Sequence, residues 1–135
     1  MKKVAHPSHF IVSLFLLLVS YTGFSQTIKK GGFEKQNKSI SGTFEIVERD
    51  GGTYIVLSDD FKTKSAPDLK LFLSKKQLAT ITGKNAPYGA VLISKLKSAK
   101  GGQSYKIPSN IVLKEYSSLL IHCEQYGILW GGSSL

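Results

Sequence analysis

Cys123 is the only cysteine in this 135-residue chain. Its sulfur is the most chemically versatile atom the sequence offers. A lone thiol is an inert apolar group, half of an intermolecular bridge, a redox centre or a ligand sulfur. It lies in the run Leu119-Leu120-Ile121-His122-Cys123-Glu124, with Tyr126 and Trp130 just beyond. On a strand, successive side chains point to opposite faces. Leu119, Ile121 and Cys123 then share one face, and Leu120, His122 and Glu124 the other. Cys123 belongs to the more apolar row, which points inward. Free cysteine is among the most buried residue types, so a core thiol and a working thiol both stay open. The same alternation sends His122 and Cys123 to opposite faces. From a regular strand they can neither ligate one metal nor form a Cys/His dyad. A serine nucleophile motif of the GxSxG kind is missing as well.

A second group is acidic. Asp59 and Asp60 follow Ser58, and Asp68 follows Pro67. Three carboxylates on one loop suggest a cation, but calcium takes six to eight oxygen ligands, and the run has no glycine-punctuated ligand ladder. The favoured reading is structural: Asp60 and Asp68 fix turns by bonding backbone N–H groups.

The start of the chain has the order of an export signal. Lys2 and Lys3 precede an apolar run from Phe10 to Tyr21, and small residues follow at Gly23 and Ser25. The run is short for a bilayer span, which needs roughly 20 residues. The expectation is cleavage near Ser25, with residues 1–25 as signal peptide and no stable membrane span. An uncleaved anchor is the competing reading. His6 and His9 leave with the leader, so His122 becomes the sole histidine and a Cys/His zinc site within one chain is excluded. An exported domain meets an oxidising compartment, periplasmic or extracellular, where cysteines normally pair. That context is what makes an unpaired Cys123 conspicuous.

Of 18 basic residues, removal of Lys2 and Lys3 leaves 16 against 9 acidic ones, a net charge of +7. Arg49 is the only arginine. Base reading favours arginine forks and stacked aromatics, so nucleic acid is not the expected partner. Lysines on a β surface discourage edge-to-edge pairing; they also attract anionic surfaces.

The elements that must position these residues are short strands. Thr43–Glu48 alternates, Arg49-Asp50-Gly51-Gly52 turns, and Thr53–Leu57 returns, which is a hairpin. Leu69–Leu73 follows Pro67, and Ala90–Leu96 is a further run. Gly101-Gly102 turns the chain before Ser104–Ile107. Leu119–Cys123 and Ile128–Trp130 come last. Lys75–Ala79 is the only helical hint. The polar, glycine-containing segment 26–40 reads as a lead-in to one β domain over 41–135. Many short strands between turns predict an all-β, antiparallel β-sandwich or small barrel. The expected core includes Phe44, Ile46, Val56, Leu71, Leu73, Ile121 and Trp130.

Several blocks together carry a family resemblance. They are Ser41-Gly42-Thr43, LSDDFKT at 57–63, APDLKLFLS at 66–74, KLKSAKGGQSYKIP at 95–108 and YSSLLIHCEQYGILWG at 116–131. In this order and spacing the chain resembles the DM13 domain. The resemblance implies a β-sandwich or barrel around one characteristic cysteine, here Cys123, and an electron-transfer or redox role. Haem or a metal as cofactor is implied by the resemblance alone. His122 stands where the resemblance leads one to expect tryptophan or another bulky residue.

Two functions from different classes follow. In one, the protein is an exported electron-transfer or redox accessory that uses Cys123 with an envelope partner. His122, Tyr126 and Trp130 are then supporting residues. That requires Cys123 at a pocket edge near the strand end, walled by Tyr126 or Trp130, with Gly127 supplying an opening. In the other, the domain is a non-catalytic envelope binding or adhesion module and Cys123 is core.

Overall fold

The computed structural model describes residues 2–4 and 23–135. The apolar run of the expected signal peptide therefore lies outside the described residues. Eleven strands follow in chain order: β1 (Gln26–Gly32), β2 (Glu34–Lys35), β3 (Ile40–Ser41), β4 (Thr43–Arg49), β5 (Gly52–Leu57), β6 (Lys62–Thr63), β7 (Leu69–Ser74), β8 (Ala90–Lys95), β9 (Gln103–Ile107), β10 (Ser118–Cys123) and β11 (Ile128–Ser134). Two single 3-10 turns, Leu78–Thr80 and Leu113–Glu115, are the only helical pieces among the described residues.

The β4–β5 hairpin shows how the sequence sets register. Asp50 and Gly51 take φ of 49° and 72°, the left-handed pair that lets a two-residue turn match strand twist. Arg49 then faces Gly52, Ile46 faces Ile55 and Phe44 faces Leu57. Directly opposed residues share a face, so Phe44, Ile46, Ile55 and Leu57 all point inward. Val56, expected in the core, faces Glu45 instead and is only half-buried. With a two-residue turn, the in-facing positions of β5 are the odd numbers.

Two antiparallel sheets stack. One runs β1-β4-β5-β9 and the other β2-β11-β10-β7-β8, with a small β3-β6 pair at one end. They form a sandwich and do not close into a barrel. Between them lie Phe44, Ile46, Ile55, Leu57, Tyr105 and Ile107 from the first sheet. Leu69, Leu71, Leu73, Leu119, Ile121, Cys123 and Trp130 meet them from the second. The second sheet is also covered on its other face. The 75–89 connection between β7 and β8 folds back and buries Leu78, Ile81 and Ala86 against Phe72, Leu120 and Leu129. That cover explains why all six residues of β10 are buried.

Segment 26–40, read as a lead-in, instead contributes three of the strands. β1 pairs along β4, β2 pairs with β11 at Gly131 and Gly132, and β3 pairs with β6. Its polarity is that of edge strands, whose outer faces meet water and which avoid long apolar runs.

Candidate functional site

Cys123 is the last residue of β10, opposite Leu69 of β7 and Ile128 of β11. The alternation read from the sequence holds: Leu119, Ile121 and Cys123 face the inter-sheet core, while Leu120 packs in the outer layer. Cys123 has no exposed surface. The expected pocket edge is not there in this conformation. Trp130 is 4% exposed and lies in the same core, whereas Tyr126 is 57% exposed on the connecting turn. Neither arrangement makes a wall beside an open sulfur.

The location at a strand end still matters. Beyond Cys123 the chain turns through Glu124–Gly127, and Gly127 takes a φ of 61° that suits glycine. Two backbone bonds hold that turn: Glu124 N–H donates to the Asp68 carbonyl at 3.3 Å, and Gly127 N–H to the Glu124 carbonyl at 3.2 Å. The Lys70 ammonium bridges the Glu124 carboxylate and, at 3.4 Å, that of Asp68. The hydrogen bond to Glu124 raises the Lys70 pKa. The 82–84 stretch of the covering connection backs the turn, and a cleft of about 510 Å³ runs between Asn37, Lys38, Thr82, Gly83, Lys84, Gly127 and Ile128. Gly83 packs so close that a Cβ there would sit 2.1 Å from the Gly127 carbonyl oxygen.

His122 points to the outer layer, edge-on to Phe72 with ring centroids 6.1 Å apart. It is 1% exposed, and its Nδ1 has no hydrogen-bond partner. Burial lowers its pKa. The Glu124 charge, a hydrogen bond with the Ile128 backbone and the Asp68 charge pull the other way. His122 is thus a neutral packing residue facing away from Cys123.

Trp130 owes its position to a β-bulge. Ile121 pairs with Gly131 but His122 with Leu129, so Trp130 is the extra residue on β11. Its carbonyl is turned toward the amides of Gln36, Asn37 and Lys38, each at 3.3 Å. The indole Nε1 donates to the Lys64 carbonyl at 3.0 Å, and the Lys38 ammonium lies 5.6 Å from the ring centre.

The acidic residues are dispersed. Asp60 accepts from Ser58 Oγ at 2.5 Å, and that oxygen accepts from Thr43 N–H at 2.9 Å. Asp59 lies against Gly102. Asp68 faces Lys70 and forms no three-carboxylate group with the other two. Asp60 therefore fixes the chain through a serine, and Asp68 through an ion pair and its carbonyl, rather than by carboxylate bonds to backbone amides. No cluster of three or more metal-ligating side chains occurs among the described residues. A haem or metal implied by resemblance does not fit at Cys123, whose sulfur is enclosed by apolar side chains and whose neighbouring histidine faces the opposite layer.

Sequence reasoning missed the Lys70–Glu124–Asp68 cluster and the bulge. Lys70 and Glu124 are 54 residues apart. Only the β7–β10 register, which sets Lys70 opposite His122, brings them together.

A family model described as "Electron transfer DM13" matches residues 32–133. No curated protein and no solved structure matches the chain.

Proposed function

The chain belongs to the electron-transfer DM13 family, and on that premise we propose that it is an exported redox accessory whose working group is Cys123, shielded in the resting fold. The observation that carries this reading is the position of Cys123 at the end of β10, held under a four-residue turn by few bonds. Local opening of the turn uncovers the sulfur while the inter-sheet core stays intact. The chemistry available to a lone thiol is exchange. The Cys123 thiolate attacks a disulfide of an envelope partner, a new S–S bond forms, and the partner's other sulfur leaves as thiolate and takes a proton. A second thiol then displaces Cys123 and restores it. The thiolate is the nucleophile in each step.

Export is part of the same proposal. It is supported by the Lys2-Lys3 start, the apolar run to Tyr21 and the small residues at Gly23 and Ser25. Intact mass of the exported protein should correspond to a chain beginning at Gln26. Recovery of the full-length chain from the membrane fraction refutes it.

The complete burial of Cys123 favours a second reading, in which the domain is a binding or adhesion module and the cysteine is core. A thiol reagent applied to native protein separates the two. Modification without denaturant, abolished in Cys123→Ser, supports the redox accessory. Modification only after unfolding supports the binding module.

A further inference from the structure

We propose that the lysine collar around Trp130, formed by Lys38, Lys62, Lys64 and Lys100, is the docking surface for an acidic protein partner. The proposal rests on the electron-transfer reading for its biological sense, and its geometry stands independently of Cys123. Three chain segments build the collar side by side. Lys62 pairs with Ser41 on one side and with Lys100 on the other. Thr63 N–H donates to the Ala99 carbonyl at 2.8 Å, its Oγ1 donates to the Ser39 carbonyl at 2.9 Å, and Lys64 N–H donates to the same carbonyl at 3.3 Å. Thr63 is buried, so the flanking Lys62 and Lys64 side chains both stand on the solvent side. Lys64 and Lys38 reach the indole from two directions, one through its carbonyl and the other through its ammonium.

The ammonium groups of this surface are not tied up in ion pairs. None of the four lysines forms an ion pair among the described residues. Asp59 and Asp60 border the patch, where Asp60 accepts from Ser58 and Asp59 lies against Gly102, so four lysines face two carboxylates there. Lys62 and Lys100 face each other directly across an antiparallel bridge, an arrangement that destabilises a sheet. A bound anionic surface relieves that repulsion. None of the exposed large hydrophobics, Tyr88, Leu92, Val112 and Tyr126 among them, belongs to the segments and bridge that carry Lys62, Lys64 and Lys100. A membrane-binding face would present apolar side chains for insertion, and here the aromatic residue is recessed. Lysines without arginine forks suit steered, transient protein encounters more than fixed bidentate recognition. Trp130 is two residues along β11 from Ile128, the partner of Cys123, a separation of roughly 7 Å along the strand. A partner seated on the collar is thereby brought to the Cys123 end of the sandwich.

Trp130 is the only tryptophan, so its fluorescence reports directly on the collar. The test titrates the full mature domain with poly-L-glutamate at low salt, and separately with phosphatidylglycerol vesicles. Saturable binding of polyglutamate is expected. It should weaken about tenfold or more in Lys62→Glu/Lys64→Glu/Lys100→Glu, while Lys29→Glu/Lys106→Glu/Lys114→Glu stays within about twofold of the parent. Lys62→Glu alone should lower affinity yet raise the melting temperature, because it replaces a like-charge pair by an opposite one. Equal weakening by both triple variants overturns the proposal, as does binding to the vesicles without binding to polyglutamate. Cys123→Ser should leave binding unchanged. Loss of docking with native thiol reactivity intact therefore overturns the collar alone, and the converse result overturns the thiol alone.

Discussion

How fast Cys123 reacts in the native protein depends on what must open to expose it. Freeing the Glu124–Gly127 turn breaks the two backbone bonds of the turn and the pairing of Cys123 with Ile128. At a net contribution of about 0.5–1.5 kcal/mol per hydrogen bond, the loss of about three such bonds makes local opening cost about 1.5–4.5 kcal/mol. One molecule in roughly 10 to 2,000 is then open at any moment. Global unfolding of a domain costs about 5–15 kcal/mol, which leaves at most about one molecule in 5,000 exposed. The two routes also respond differently to urea, because only global unfolding exposes the whole core. The assay is the rate of thiol-reagent modification across low urea concentrations, measured beside an unfolded control. The expected result is a rate roughly 10- to 2,000-fold below the control and nearly independent of urea. A rate that follows the full unfolding slope would refute local opening, and Cys123 would then be a core thiol with no route to a partner.

Gly83→Ala tests the same turn from the other side. Its new Cβ would crowd the Gly127 carbonyl, so it should destabilise the domain by about 1–3 kcal/mol and accelerate Cys123 modification; an unchanged modification rate counts against the coupling. On β5, Ile55→Ala should cost about 2–5 kcal/mol and Val56→Ala less than about 1 kcal/mol, measured by chemical denaturation. The reverse order would mean that the faces of the strand are exchanged. For His122, burial holds the native pKa below the unfolded value of about 6.5. The unfolded chain therefore binds the extra proton first. The stability His122 contributes is complete above pH ~6.5 and declines as pH falls below it. His122→Phe should flatten that decline in melting temperature between pH 8 and 5, and a persistent slope would assign it to other groups.

Much of the fold was legible in local sequence. Asp50-Gly51 specified a two-residue turn, and that turn alone sets Ile46 opposite Ile55. Counting outward from it would have corrected the placing of Val56, whose apolar character says nothing about phase. Alternation in Leu119–Cys123 correctly separated the faces of His122 and Cys123, because a side-chain period of two is a property of the extended backbone itself. Other features exist only in the assembled molecule. Segment 26–40 carries no strand pattern of its own, and its pairing comes from β4, β11 and β6. The burial of His122 depends on the 75–89 connection folding over the outer face of its sheet. The bulge that fixes Trp130 arises from a mismatch between two strands. The lysine collar joins positions up to 62 residues apart, since Lys38 and Lys100 meet only through chains that neighbour in space. Turn type and strand face are short-range consequences of backbone geometry. Burial of a particular thiol, histidine or charge is a long-range one, decided by which segments the sandwich brings to cover it.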